Sequence, residues 1–121
     1  MVREHDLIEF IRRHFGYDDI NDKDLLRIVG EHARYGTIEA CLDNNKIVGL
    51  IRINIHGSIV EVCDFAIKEG YKCRDIIREL TLNLWIKFPH VKYFTFERLR
   101  KYPLKKSKIY TIKRLLKIKG A

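Results

Sequence analysis

The chain has 121 residues, 46% of them hydrophobic and 33% charged, with a formal net charge of +8. That length suits a single domain, 1–121, around one ordinary core. No apolar run approaches the roughly 20 residues of a membrane helix, which argues against membrane insertion, and the charged opening MVREHDLIEF is unlike a secretion signal, so a cytoplasmic location is expected.

Leu7, Ile8, Phe10, Ile11 and Phe15 recur at offsets of three and four, predicting a first helix that stops at Gly16. Asn21 or Asp22 is placed to cap a second helix through about Tyr35, carrying Leu25, Leu26, Ile28 and Val29 and ended by Gly36. The period then changes. Thr37–Asp43 is β-rich, Asn44-Asn45 is a hairpin signal because asparagine tolerates positive φ, and Lys46–Ile55 continues as a strand. His56-Gly57 makes another turn, and Ser58–Ile67 completes an antiparallel meander of three strands.

From about Asp75 the helical period returns through Ile76, Ile77, Leu80, Leu84 and Phe88, and Pro89 closes it. Val91–Phe96 reads as a fourth strand which, after a crossover helix, pairs parallel to the third. Beyond Pro103, residues 108–114 read as a final strand offering Ile109, Tyr110 and Ile112 for burial; a helix ending at Gly120 is the alternative. The expected fold class is therefore α+β: a mixed central sheet, two N-terminal helices, and a crossover helix between the third and fourth strands.

This order, from Val2 to about Leu116, resembles the GNAT N-acetyltransferases. DNNKIVGLIRI (43–53) looks like that family's β-hairpin, and VCDFAIKEGYKCRDIIREL (62–80) looks like its acyl-CoA motif, a strand followed by a basic, glycine-bearing loop and a helix. The family pattern there is roughly Arg/Gln-x-x-Gly-x-Gly/Ala. Lys72 stands at the basic position, Cys73 and Asp75 where glycines are usual, Arg74 at a variable position, and Ile76 and Leu80 at aliphatic ones. The resemblance implies acetyl-CoA as cofactor, held by Phe65, Ala66, Ile67, Lys72, Cys73, Arg74, Asp75 and Ile76. It also implies transfer to an amine-bearing small molecule or protein. Free amides and the positive end of a helix dipole attract the pyrophosphate. Cβ atoms at Cys73 and at Ile77, which replaces another small residue, narrow that approach, and the Asp75 carboxylate repels an anion and suits an N-cap or first-turn acid. Lys72 and Arg74 still offer cationic partners.

Acetyl transfer needs a base for the incoming ammonium and an acid for the leaving thiolate. Glu61 is the better base candidate; Asp64, three residues on, falls on the opposite face by strand alternation. The resemblance places the acid at a tyrosine after the fourth strand, Tyr102 or Tyr110, although Tyr110 also suits packing against the sheet. His5, His14, His32, His56 and His90 share no metal-binding spacing, and Cys41, Cys63 and Cys73 form no CxxC, so no metal is expected and the thiols read as reduced.

Ten of the 24 Lys/Arg and none of the 16 Asp/Glu fall in residues 98–121. Cations alternating with Tyr102 and Tyr110 suit a polyanion, phosphates meeting the charges and bases the rings. Nucleic-acid binding through Arg100, Lys101, Lys105, Lys106, Lys108 and Lys113 is thus the alternative to catalysis, in a GNAT-like domain that has lost its chemistry.

Overall fold

Helices flank both faces of a five-stranded mixed sheet in the computed structural model, which describes residues 3–96 and 108–116. The order is α1 (Glu4–Phe15), α2 (Asp22–Tyr35), β1 (Ile38–Asp43), β2 (Lys46–His56), β3 (Ile59–Ile67), α3 (Cys73–Lys87), β4 (Tyr93–Phe96), β5 (Lys108–Thr111) and α4 (Ile112–Leu116).

Both N-terminal helices form where the apolar spacing predicts them. α1 buries Leu7, Phe10 and Ile11, and its charges follow the helix dipole, with Glu4 and Asp6 in the first turn and Arg12, Arg13 and His14 in the last. Asn21 caps α2 by accepting from the Asp24 N–H at 2.8 Å, and Gly36 takes the left-handed C-cap at φ 73. Between the helices, Arg12 gathers the connecting loop, donating to the carbonyl oxygens of Tyr17 and Ile20 (2.6 Å each) and to Asp22 Oδ1 (2.7 Å). Tyr17 sits in that loop at φ 57, a left-handed conformation few aromatic residues adopt.

Strands β1, β2 and β3 form the expected antiparallel meander. Asn44 and Asn45, at φ 51 and 64, make the two-residue turn that suits the right-handed twist of the flanking strands. Strand order follows chain order, β1-β2-β3-β4-β5. The crossover helix α3 returns the chain so that β4 lies parallel to β3, from Ile59–Tyr93 to Val62–Phe96, and β5 pairs antiparallel to β4.

The sheet separates two apolar clusters. On one face Val48, Ile51, Ile53, Val60, Val62 and Phe94 meet Ile76, Leu80 and Leu84 of α3 and Ile112 and Leu116 of α4. On the other, Ile38 and Leu50 meet α1 and α2 through Leu7, Phe10, Ile11, Leu25 and Val29. A fully buried Leu or Phe stabilises by about 1.5–3 kcal/mol, and Leu80, Leu84 and Phe94 are wholly buried.

Three boundaries differ by two residues or more from the sequence reading, and the first is β4, which begins at Tyr93 rather than Val91. The last strand ends at Thr111 rather than 114, and Ile112–Leu116 is helical. Ile112 and Leu116, four apart, reach the core together only on a helix, and the Thr111 hydroxyl accepts from the Arg114 N–H at 3.1 Å as its cap. α3 begins at Cys73 rather than near Asp75, with Lys72 as its N-cap residue.

Candidate functional site

Two features hold the candidate residues, the start of α3 and an irregularity in β3. The loop leading to α3 is fixed at both ends: the Lys68 N–H donates to the Val48 carbonyl (2.8 Å), and the Tyr71 hydroxyl to Asp43 Oδ2 (2.6 Å). The first turn of α3 then descends onto the sheet at Gly49, where a Cβ atom would overlap Ile76 Cγ2. Glycine at 49 is thus a requirement of close approach.

At the N-cap, Lys72 contributes no side-chain hydrogen bond to the helix end. Asp75 is a first-turn acid rather than the N-cap residue, and among the described residues no side chain caps the opening amides. Lys72, Cys73, Arg74 and Asp75 are all exposed, while Ile76 is buried. The result is an uncapped, exposed helix N-terminus flanked by two cations and one carboxylate. Phe65 and Ile67 face the α3 cluster and Ala66 the α1–α2 cluster, so these three do not line one surface.

Within β3 the ladder to β2 slips by one residue. Arg52 pairs with Asp64 but Ile53 pairs with Val62, leaving Cys63 as the extra residue of a β-bulge. Strand alternation is therefore reset. Val60 and Val62 point into the α3–α4 cluster, as do Phe65 and Ile67, and Asp64 turns the other way. Glu61 and Asp64 consequently share a face, against the sequence expectation that a separation of three would part them. Glu61 is 37% exposed; its Oε1 accepts from Asn54 Nδ2 at 3.4 Å and lies 3.6 Å from His56 Nε2. Cys63 Sγ lies 3.3 Å from the same Asn54 amide.

Behind this open patch runs a half-buried polar chain that sequence reasoning missed. The Tyr17 hydroxyl donates to Asp64 Oδ1, and Arg52 Nε donates to Asp64 Oδ2 at 2.6 Å. Arg52 Nη1 donates to His32 Nε2 (3.2 Å), which places the His32 proton on Nδ1, 2.7 Å from Thr37 Oγ1. The Asp64 side chain is 4% exposed and that of Arg52 19%, so the carboxylate is tolerated only because each oxygen has a donor. Burial and the Asp64 carboxylate push the Tyr17 phenol above its ordinary range. Burial and the Arg52 charge hold the His32 imidazole below its own. Burial raises the Cys63 thiol, which keeps it protonated and unsuited to nucleophilic attack near neutral pH.

Other expected residues stand apart. Tyr110 packs on the sheet, its ring 5.6 Å from Phe96 and beneath the Arg114 guanidinium. Lys113 is exposed on α4 rather than on a strand, and Lys108 belongs to β5. Tyr102, Arg100, Lys101, Lys105 and Lys106 lie outside the described residues. Among the described residues, no three His, Cys, Asp or Glu side chains converge as a metal site, and no helix is long and apolar enough to cross a membrane. No known protein family and no curated protein matches the chain.

Proposed function

We propose that this chain is a GNAT-like acyl-CoA-binding domain that transfers an acetyl group to an amine. The observation that carries the reading is the uncapped, exposed first turn of α3, with Lys72 and Arg74 beside it, on the crossover between two parallel strands. Free amides and a positive dipole end suit a pyrophosphate, and the two side chains add charge to it. The Asp75 carboxylate opposes the same anion, so binding is expected to be weak.

Acetyl-CoA supplies the activated acyl group. Glu61, on the open face of β3, accepts the proton that the incoming ammonium must lose. The amine would then form its bond to the acyl carbon as the carbon–sulfur bond breaks, CoA leaving as a thiolate that takes up the proton the new amide nitrogen sheds. Lys72 and Arg74 hold the phosphate end.

Adding acetyl-CoA at millimolar concentration is expected to raise the melting temperature, by mass action on the folded state, and to slow modification of the exposed Cys73 thiol by a maleimide. Lys72→Glu is expected to remove both effects. No shift and no protection in the wild type would discard the reading. The competing role, a polyanion held by residues 98–121, predicts instead nucleic-acid affinity that falls steeply with salt.

A further inference from the structure

Why β3 carries an extra residue follows from its side chains. In a regular strand Asp64 would share the face of Val62, which is buried among Ile53, Leu80 and Phe94. An unpaired carboxylate there would cost far more than one disrupted ladder position. The bulge turns Asp64 to the other face, but only partners waiting there make that register favourable. Those partners are Tyr17, from the α1–α2 loop, and Arg52, from β2, itself backed by His32 of α2. Tyr17 is presented by the left-handed backbone that Arg12 secures through the loop carbonyls.

We propose that Tyr17 is a positioning residue: acting through Asp64 and Arg52, it holds β3 in the bulged register that sets Glu61 on the open face, keeps Cys63 half-buried and turns Phe65 and Ile67 against α3. As a statement about acetyl transfer this rests on the proposed function, because it is Glu61 and the strand leading to α3 that the lock aligns. Tyr17 itself touches neither Glu61 nor the α3 N-terminus through any described hydrogen bond; its influence passes through Asp64.

The three thiols give the test built-in reporters. Cys73 is exposed, Cys63 is the bulged residue and Cys41 is buried in the α3 core. In Tyr17→Phe, and in Asp64→Asn as a second variant, maleimide labelling of Cys63 is expected to accelerate about tenfold, on the scale of one hydrogen bond to a charged group. Cys41 and Cys73 should label as in the wild type, and acetyl-CoA should bind the variant about tenfold more weakly. A purely structural role would loosen the whole domain, so Cys41 and Cys63 would accelerate together; that result, or an unchanged Cys63, overturns the inference. Wild-type-like acetyl-CoA affinity with fast Cys63 labelling overturns the positioning role while leaving acyl-CoA binding intact. A wild type that binds no acetyl-CoA sinks the proposed function instead, and the lock then stands or falls on the labelling pattern alone.

Discussion

Val62 and Asp64, two residues apart on β3, face opposite sides of the sheet. In an unbroken strand they would share one. The extra residue between them reconciles an apolar core with a buried carboxylate, and it predicts how the domain responds when the carboxylate goes.

Asp64→Leu leaves the half-buried Arg52 without its partner and the Tyr17 hydroxyl without its acceptor. Breaking a buried pair from one side is expected to cost about 3 kcal/mol. Urea denaturation measures this directly. Replacing both partners, Arg52→Met with Asp64→Leu, should recover more than half of the loss, because two apolar side chains leave no stranded charge. An equal loss in both variants would remove the ion pair as the cause.

Acid should weaken the domain through His32. Burial and the Arg52 charge hold its folded-state pKa below 6.5, so the unfolded chain binds the proton more readily. Stability is therefore fully present above pH 6.5 and lost as the pH falls through the lower folded value. Glu31 and Asp64 oppose the shift without reversing it. His14, lowered by burial and by Arg13, adds a part of the same sign. His32→Gln should flatten most of the decline in denaturation midpoint between neutral pH and about pH 5; an unchanged slope would assign the decline to other groups.

Gly49→Ala should destabilise by about 2 kcal/mol, the scale of overpacking a filled core, because the new methyl meets Ile76 where α3 crosses β2. In an Ile76→Ala background the same methyl should cost less. Additive losses would mean that the two positions do not touch.

Lys87 ties the end of α3 to the start of β1, donating to the Gly36 carbonyl and to Glu39 Oε2 at 2.6 Å each. Both side chains are partly shielded, at 34% and 22% exposure. Lys87→Met is expected to cost about 1 kcal/mol, part of it lost from the wild type at high salt. A midpoint insensitive to the substitution would show the bridge to be incidental.

Much of the fold was legible because its signals are local. Paired asparagines at 44 and 45, Asn21 as cap and Gly36 as stop each act within a few residues. Gly49 was legible as part of the IVG run, though its reason, contact with Ile76, is tertiary. The bulge was also written in the sequence. Buried apolar positions 60 and 62 are followed by 65 and 67, a step of three that regular alternation forbids. Reading Glu61 and Asp64 by strict alternation therefore gave the wrong face.

The polar chain was beyond local reading, since Tyr17, His32, Arg52 and Asp64 come from four separate segments. None of them looks unusual alone. The end of β5 was mistaken for a different reason: Ile109, Tyr110 and Ile112 fit a strand over a short span, and only the Thr111 cap with the spacing of Ile112 and Leu116 decides for a helix.

That the strands lie side by side in chain order bears on how the molecule assembles. β1, β2 and β3 join through tight turns, so this sheet of three closes only short loops and loses little chain entropy in doing so. Among the described residues, the strand pairing most distant in sequence brings Tyr93 to Ile59 across the whole of α3. The slow event in refolding should be this docking, with Phe94 arriving last in a cluster the meander and α3 have already begun.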